Sequence, residues 1–198
     1  FMLTKSMGVA PATTPCVNLS TADLPGYMVG CRMDDQYFMR RALVEAQQAL
    51  AAGEFPVGCV IVHQQHIIAS GARSGTQAKN RNEIDHAEMV ALRDLDALDA
   101  DIRYEDLVLY STMEPCLMCF AALTLSRIGT VVYAYEDVMG GGTKCDFKAL
   151  PPLYRALKPR VVGGVMRAES VDLFQTFFAD PGNDYWQGSL LANYTSEQ

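Results

Sequence analysis

Two segments decide how this chain is built: Asp85-His86-Ala87-Glu88 and, farther along, Glu114-Pro115-Cys116-Leu117-Met118-Cys119. Between them they carry three side chains with metal-binding atoms, His86, Cys116 and Cys119. Zinc prefers imidazole nitrogen and thiolate sulfur, and a catalytic zinc ion commonly has three protein ligands with a fourth position left for water. The sequence therefore predicts one zinc ion per chain, bound by these three residues.

The spacing within each segment predicts where helices begin. Cys116 and Cys119 are three residues apart, so their sulfurs share one face if a helix begins at Pro115, a residue suited to a first helical turn. His86 and Glu88 are two apart and would diverge along a helix body. They converge only in a first turn, so we expect a second helix to start near His86. Two helix N-termini at one point would also favour thiolate over thiol.

The spacing of the two cysteines alone is ambiguous, because it also occurs in redox pairs, in structural zinc sites and in buried cores. The combination is more specific. A histidine and a glutamate separated by one residue, followed by a Pro-Cys-x-x-Cys segment, are typical of zinc-dependent nucleobase deaminases. Zinc lowers the pKa of a bound water to about 7. Glu88 is then predicted to take a proton from that water and return it to the base and the leaving amine, as both general base and general acid.

Composition limits the class of protein. At 198 residues, with 49% apolar and 20% charged side chains, the chain fits one globular domain. A net charge of −7 argues against a broad basic face for a nucleic-acid backbone. No apolar run approaches the ~18 residues of a membrane span. The six cysteines, with Cys59 in a strand-like run, are too scattered for a disulfide framework, which favours the reducing cytoplasm.

We expect three parts along the chain. Residues 1–32 are rich in proline, threonine and glycine, so they are interpreted as a leader, with Met33 as a plausible natural start. Residues 33–180 form the zinc domain. Residues 181–198 form a tail in which Tyr185 and Trp186 either pack on the domain or on a dimer partner, or close over the substrate as a lid.

Hydrophobic periodicity predicts the elements of the zinc domain. Helices are expected at residues 34–52, from 86 to about 98, from 115 or 116 to about 125, and at 169–179, and strands at 56–62, 66–70, 107–112, 130–135 and 160–165. His63 and His66 flank the hairpin turn and are expected to face solvent. Residues 73–85 and the glycine-containing stretch 137–144 are predicted loops. This order predicts a three-layer α/β/α fold with a mixed sheet of about five strands and both zinc-motif helices on the same side.

These motifs resemble those of a known family. His86-Ala87-Glu88, Pro115-Cys116-Leu117-Met118-Cys119 and Phe55-Pro56-Val57-Gly58 are similar to the cytidine deaminase-like superfamily, which includes cytosine, guanine and tRNA-adenosine deaminases. Met113-Glu114-Pro115-Cys116 and Ser126-Arg127-Ile128-Gly129 most resemble the bacterial tRNA-adenosine deaminase branch, as does Val131-Val132-Tyr133. The likeness runs from about residue 34 to residue 178.

The resemblance implies the roles of several residues. His86, Cys116 and Cys119 would be zinc ligands, Glu88 the proton shuttle, and the reaction hydrolytic deamination by a homodimer. Substrate contacts are expected at four further residues, Val57, Ala87, Glu114 and Asp137.

Two departures leave the substrate open. The branch usually has an asparagine eleven residues before the zinc histidine, where this chain has Gly75, and Arg73, Ser74, Asn80 or Asn82 are candidates to replace it. The tail is acidic and aromatic where tRNA enzymes often have basic residues. The leading hypothesis is conversion of adenosine to inosine in tRNA. The alternatives are the same chemistry on a free base, nucleoside or nucleotide of the guanine or cytosine type, and a non-catalytic zinc-stabilised module.

Overall fold

A computed structural model of the chain describes residues 34–77, 79, 81–98 and 102–198. The predicted leader at 1–32 and the predicted start at Met33 lie outside these residues. The structure has six α-helices in the described residues: α1 (Asp35–Ala51), α2 (Ala87–Asp96), α3 (Leu117–Leu125), α4 (Pro152–Ala156), α5 (Arg167–Ala179) and α6 (Leu190–Ser196). The strands are β1 (Gly58–His63), β2 (His66–Ala72), β3 (Val108–Met113), β4 (Thr130–Tyr135) and β5 (Arg160–Val162).

The strands form one mixed sheet in the order β2-β1-β3-β4-β5. β1 is antiparallel to both β2 and β3, whereas β3, β4 and β5 run parallel to one another. Parallel neighbours need a crossover connection, which α3 supplies between β3 and β4. The predicted mixed sheet of about five strands is confirmed.

The hairpin of β1 and β2 turns at two consecutive glutamines. Gln64 and Gln65 have φ of 47° and 68°, the left-handed pair that matches the twist of a two-residue hairpin turn. His66 is exposed and His63 is partly exposed, so both reach solvent, His63 to a smaller extent. Neither histidine belongs to the group of metal-binding side chains.

Helices cover both faces of the sheet. Successive side chains of a strand point to opposite faces, and here both faces carry apolar side chains that need to be covered. In β1, Cys59 and Ile61 point toward α2 and α3, where they join a large apolar cluster with Ala91 and Phe120. The intervening Val60 belongs to a second cluster, built on α1 with Phe38, Met39, Ala42 and Leu43. The three-layer fold and the placement of both zinc-motif helices on one side are therefore confirmed.

Element ends differ from the predictions in places. α3 begins at Leu117 with Cys116 as its N-cap, so Pro115 precedes the helix instead of opening it. β5 ends at Val162, three residues early, because the chain turns at the following glycines, with φ of 86° at Gly164. α4 was not predicted.

The tail, residues 181–198, contains α6 and packs on the domain, which is one of the two arrangements that the sequence left open. Leu191 and Thr195 are buried, and the Thr195 hydroxyl lies 2.9 Å from the hydroxyl of Tyr135 at the end of β4. Arg167 also joins the tail to the domain, since it bonds both Glu136 and Gln198. Across the described part of the chain, no helix combines the length and the apolar character needed to cross a membrane.

Candidate active site and metal centre

The two zinc motifs sit at helix N-termini that meet. His86 is the N-cap of α2 and Cys116 is the N-cap of α3, and neither uses its side chain to cap its own helix. Both side chains are therefore free to face the space beyond the helix ends. The Cys116 Sγ atom lies 3.5 Å from His86 Nδ1, so the convergence predicted from the spacing is present in the structure.

Three donor atoms form a site of the right size for zinc. The candidate ligand atoms of His86, Cys116 and Cys119 all lie within 4.8 Å of one another, and no second group of this kind occurs among the described residues. Bonds of ~2.0–2.3 Å in a tetrahedron place ligand atoms about 3.5 Å apart. The donor types and spacing therefore fit one zinc ion, with room for a fourth, non-protein ligand.

The local electrostatics favour a thiolate at Cys116. Its pKa is lowered to about 4, chiefly because the Cys119 thiol donates to its sulfur, with a further contribution from His86. The same contact raises the pKa of Cys119, and the bond to Cys116 raises that of His86. Thiolate is the form of cysteine that binds metal, so this cluster is prepared for a cation.

Glu88 is a buried carboxyl group beside the three donors. It is only 3% exposed, and its Oε1 accepts a hydrogen bond of 3.1 Å from the Ser111 hydroxyl in β3. Burial raises the pKa of Glu88 above its usual range. A raised pKa is the direction that suits a carboxyl group to general acid–base catalysis, because the group then holds a proton more readily than an ordinary glutamate.

The motifs open into a cavity of about 270 Å³. Its walls include His86, Glu88 and Cys116, together with all four predicted substrate contacts, Val57, Ala87, Glu114 and Asp137. The structure therefore brings the predicted site residues to one place. Their individual roles remain predictions.

Glu114 uses its carboxylate to hold the loop of residues 137–144, the glycine loop, in place. Its Oε1 accepts a hydrogen bond of 2.5 Å from the Thr143 hydroxyl, and its Oε2 accepts one of 3.2 Å from the Asp137 backbone N–H. The loop runs so close that a Cβ on Gly141 would lie 2.6 Å from the Glu114 carboxyl carbon. Glycine is required here for close approach, and the loop is a wall of the cavity.

Asp137 lies at the start of this loop. Its Oδ1 accepts hydrogen bonds from the backbone N–H groups of Met139, at 2.9 Å, and Gly140, at 2.8 Å. Burial raises the pKa of Asp137. One carboxylate oxygen thus orders the turn, which fixes the position of the carboxyl group in the cavity wall.

Of the residues considered as replacements for the missing asparagine, Arg73 lines the cavity. Ser74, Asn82 and Gly75 do not line it, and Asn80 lies outside the described residues. Arg73 is 3% exposed and donates to the carbonyl oxygens of Asn82, at 2.8 Å, and Asp85, at 3.1 Å. It therefore shapes the loop that leads to His86.

The tail supplies part of the cavity wall. Tyr185, Trp186 and Leu191 all line it, and the Tyr185 ring packs edge-on against Phe55 with centroids 5.4 Å apart. The sequence predicted either that this tail packs on the domain or a partner, or that it closes over the substrate. In the structure the tail packs on the domain and also borders the site. The sequence feature that pointed to this role was the pair of large aromatic residues in an otherwise polar stretch.

Comparison with known proteins gives concordant matches. A family model for the cytidine and deoxycytidylate deaminase zinc-binding region matches residues 32–135. A tRNA-specific adenosine deaminase of Streptococcus pyogenes is 34% identical over 145 residues, which cover 73% of this chain and 90% of that protein. The tRNA-specific adenosine deaminase 2 of Xenopus laevis is 33% identical over 72% of this chain and 85% of its own length.

A solved structure agrees with these relatives. It comes from a study of A-to-I editing by tRNA deaminases at the wobble position of transfer RNA, and it is 33% identical to this chain. The similarity covers 69% of this chain and 98% of that one, with a TM-score of 0.59.

Proposed function

This chain belongs to the cytidine and deoxycytidylate deaminase zinc-binding family, and from that premise we propose that it converts adenosine to inosine in transfer RNA. The reaction class follows from the family: the protein is a zinc-dependent hydrolytic deaminase of a nucleobase. The observation that carries the proposal is that the buried Glu88 lines one cavity with His86 and Cys116, which form a metal-binding group with Cys119. The substrate is supported by relatives that match along most of their own length.

We assign His86, Cys116 and Cys119 as the zinc ligands, and a zinc ion held there would supply a water molecule activated for attack near neutral pH. Glu88 would accept one proton of the water at a carboxylate oxygen as the water oxygen bonds to the amine-bearing carbon of the adenine, and would donate that proton to the adjacent ring nitrogen. The second proton of the former water, carried by the same carboxyl group, would go to the amine as the carbon–nitrogen bond breaks, so that ammonia leaves and a carbonyl remains. The carboxyl group stays oriented throughout, because Ser111 bonds one of its oxygens.

The cavity walls support binding of one base. Val57 and Ala87 give apolar surface to the cavity. Asp137 of the glycine loop adds a carboxyl group, and Glu114 binds the Asp137 backbone N–H. Pockets for small molecules generally combine apolar walls with a few fixed polar groups. We assign Val57, Ala87 and Asp137 as substrate contacts and Glu114 as the residue that positions Asp137.

A second candidate is the same reaction on a free base, nucleoside or nucleotide. The net charge of −7 favours it, since phosphate contacts with basic residues supply much of the affinity for nucleic acids. A non-catalytic zinc module has no such support. A structural site is normally closed by four protein ligands, whereas this one has three and a buried proton carrier.

We further propose a cytoplasmic homodimer, on the strength of the family resemblance. The four described cysteines, Cys59, Cys116, Cys119 and Cys145, are all free thiols, which suits a reducing compartment. Light scattering of the purified protein tests the dimer, and a monomeric mass across the working concentration range would contradict it.

The substrate is tested with the purified zinc protein. Ammonia release is measured with an anticodon stem-loop containing a target adenosine, and with adenosine, adenine, guanine, cytosine and their nucleotides, and inosine is then identified in the RNA. We expect turnover of the stem-loop to exceed that of the small molecules. Turnover of free bases or nucleosides with none of the stem-loop would select the second candidate.

A further inference from the structure

The mouth of the catalytic cavity carries a large aromatic side chain that the proton chemistry at Glu88 does not use. Trp186, the only tryptophan in the chain, lines the cavity and is 44% exposed. Its neighbour Tyr185 is buried and meets the indole edge to face, with ring centroids 5.7 Å apart. Trp186 therefore presents a supported ring surface at the opening of the site.

The turn that carries Trp186 is held in an uncommon conformation. Its φ is 56°, in the left-handed region that bulky residues rarely adopt. The Trp186 carbonyl accepts a hydrogen bond of 3.1 Å from the Ser189 N–H. Such conformations persist where surrounding contacts enforce them, and they concentrate at functional sites.

Several contacts bind this turn to the loop that leads to His86. The Tyr185 hydroxyl donates to Glu83 at 2.9 Å, and the Arg81 guanidinium pairs with Asp184 at 3.1 Å. The Arg81 guanidinium also lies over the Tyr185 ring, 5.6 Å from its centroid. The position of Trp186 is thereby fixed relative to the zinc-binding histidine.

The size of the cavity decides what can reach Trp186. A volume of about 270 Å³ lies just below the ~300 to 1,000 Å³ of typical small-molecule sites. A cavity of this size suits one nucleoside. In an RNA substrate, the nucleotides on either side of the target must remain outside, at the mouth where the indole is exposed.

The charge of the chain makes such a contact valuable. With 23 acidic and 16 basic side chains and a net charge of −7, the protein as a whole repels phosphates, whose contacts with basic residues are the usual source of affinity for nucleic acids. Aromatic side chains also bind single-stranded nucleic acids by stacking on bases, largely independently of sequence. An exposed indole is suited to this role.

We propose that Trp186 stacks on a base adjoining the target adenosine in an RNA loop, and so determines specificity for polynucleotide over free nucleoside. This inference rests on the proposed function, because it requires an RNA substrate. It assigns to the tail a binding contact that lies outside the metal and proton chemistry.

The test compares Trp186→Ala and Trp186→Phe with the parent protein on two substrates, the anticodon stem-loop and free adenosine. Loss of one stacked base corresponds to ~1–3 kcal/mol, or about 5- to 150-fold in kcat/KM. Trp186→Ala should lose this factor on the stem-loop and much less on adenosine, whereas Trp186→Phe should retain most of the stem-loop activity. Leu190→Ala is the matched control, because Leu190 is in the same tail, is 59% exposed and does not line the cavity.

A second measurement identifies the stacked base. Stem-loops with an abasic site immediately before or after the target adenosine are compared with intact RNA. For one of the two abasic RNAs, kcat/KM of the parent protein should fall well below its value on intact RNA. The same abasic site should lower kcat/KM of Trp186→Ala little, because that variant has already lost the stacking contact. Fluorescence of the single tryptophan, recorded with Glu88→Gln to prevent turnover, should be quenched by intact RNA and less by that abasic RNA.

Two results would overturn the inference alone: an equal loss on stem-loop and adenosine in Trp186→Ala, or full activity of the parent protein on both abasic RNAs. Failure of the proposed function has a different signature. In that case the parent protein deaminates a small substrate and leaves the intact stem-loop unchanged.

Discussion

Ser111 donates a hydrogen bond of 3.1 Å to Glu88, and both side chains are buried. Ser111 lies in the middle of β3, three residues before Glu114, so a rigid strand holds the serine hydroxyl beside the carboxyl group. The bond holds one oxygen of the carboxyl group and so orients the group beside the three metal-binding side chains. Ser111 is therefore a positioning residue that acts through Glu88.

Replacement of Ser111 by alanine should lower kcat and leave KM nearly unchanged. A hydrogen bond to a charged group contributes ~1.5–3 kcal/mol, so we expect a loss of about 10- to 150-fold if the bond serves orientation during the reaction. Steady-state kinetics on the best substrate measures the two constants separately. Ser111→Thr keeps the hydroxyl and should restore most of kcat. Equal activity of Ser111→Ala and the parent protein would show that Ser111 does not position Glu88 for the reaction.

The metal and proton functions of the site should separate by mutation. Glu88→Gln keeps the shape of the side chain but cannot carry the proton, so the protein should retain zinc and lose at least ~10²-fold in turnover. Cys116→Ala removes a ligand and should lose most of the zinc. Elemental analysis of zinc together with ammonia release checks both. An active Glu88→Gln protein would contradict the assigned role.

The sequence predicted the side chains of the candidate metal centre better than the rest of the cavity wall. His86, Cys116 and Cys119 are constrained by ligand chemistry and Glu88 by proton transfer, which together fix residue type and spacing, so short motifs predicted that these four side chains lie together. The role of Arg73 depends on how the loop before His86 folds back on itself, with its side chain bonded to carbonyl groups nine and twelve residues away. Trp186 reaches the cavity because the tail packs on the domain, where Tyr185 contacts Phe55 and Glu83. Local periodicity carries no information on either arrangement.

Substitution of Gly141 by alanine should destabilise the protein and impair the site. The new Cβ would lie 2.6 Å from the Glu114 carboxyl carbon and 2.7 Å from the Asp137 carbonyl oxygen, so the glycine loop must move away. Overpacking of this kind costs ~1–3 kcal/mol, which urea unfolding would detect. Gly182→Ala is the control, because its nearest contact is 3.2 Å, to the Asp180 side chain. An unchanged midpoint and full activity for Gly141→Ala would show that the loop adapts without cost.

The ion pair of Glu136 and Arg167 should make the stability of the domain depend on pH. The Arg167 guanidinium, which bonds both Glu136 oxygens, lowers the pKa of Glu136 to about 2 from a usual value of 4.5. Because the folded pKa is depressed, the stabilisation is fully present above pH 4.5 and is lost as the pH falls toward 2. The side chains remain 25% and 34% exposed, so solvent screening reduces the contribution to ~1–2 kcal/mol.

Glu136→Gln removes this charge and tests the ion pair directly. At pH 7 the variant should unfold at lower urea concentration than the parent protein, by the equivalent of ~1–2 kcal/mol. The difference should shrink between pH 4.5 and the acid limit of the folded state, since the parent carboxylate becomes protonated there. Glu105→Gln is the matched control, because Glu105 pairs with Arg127 on a more exposed surface, at 3.3 Å, where such pairs contribute little. A difference for Glu136→Gln that stays constant from pH 7 to pH 3 would contradict the assignment, because it would show that the stabilisation does not depend on the charge of Glu136.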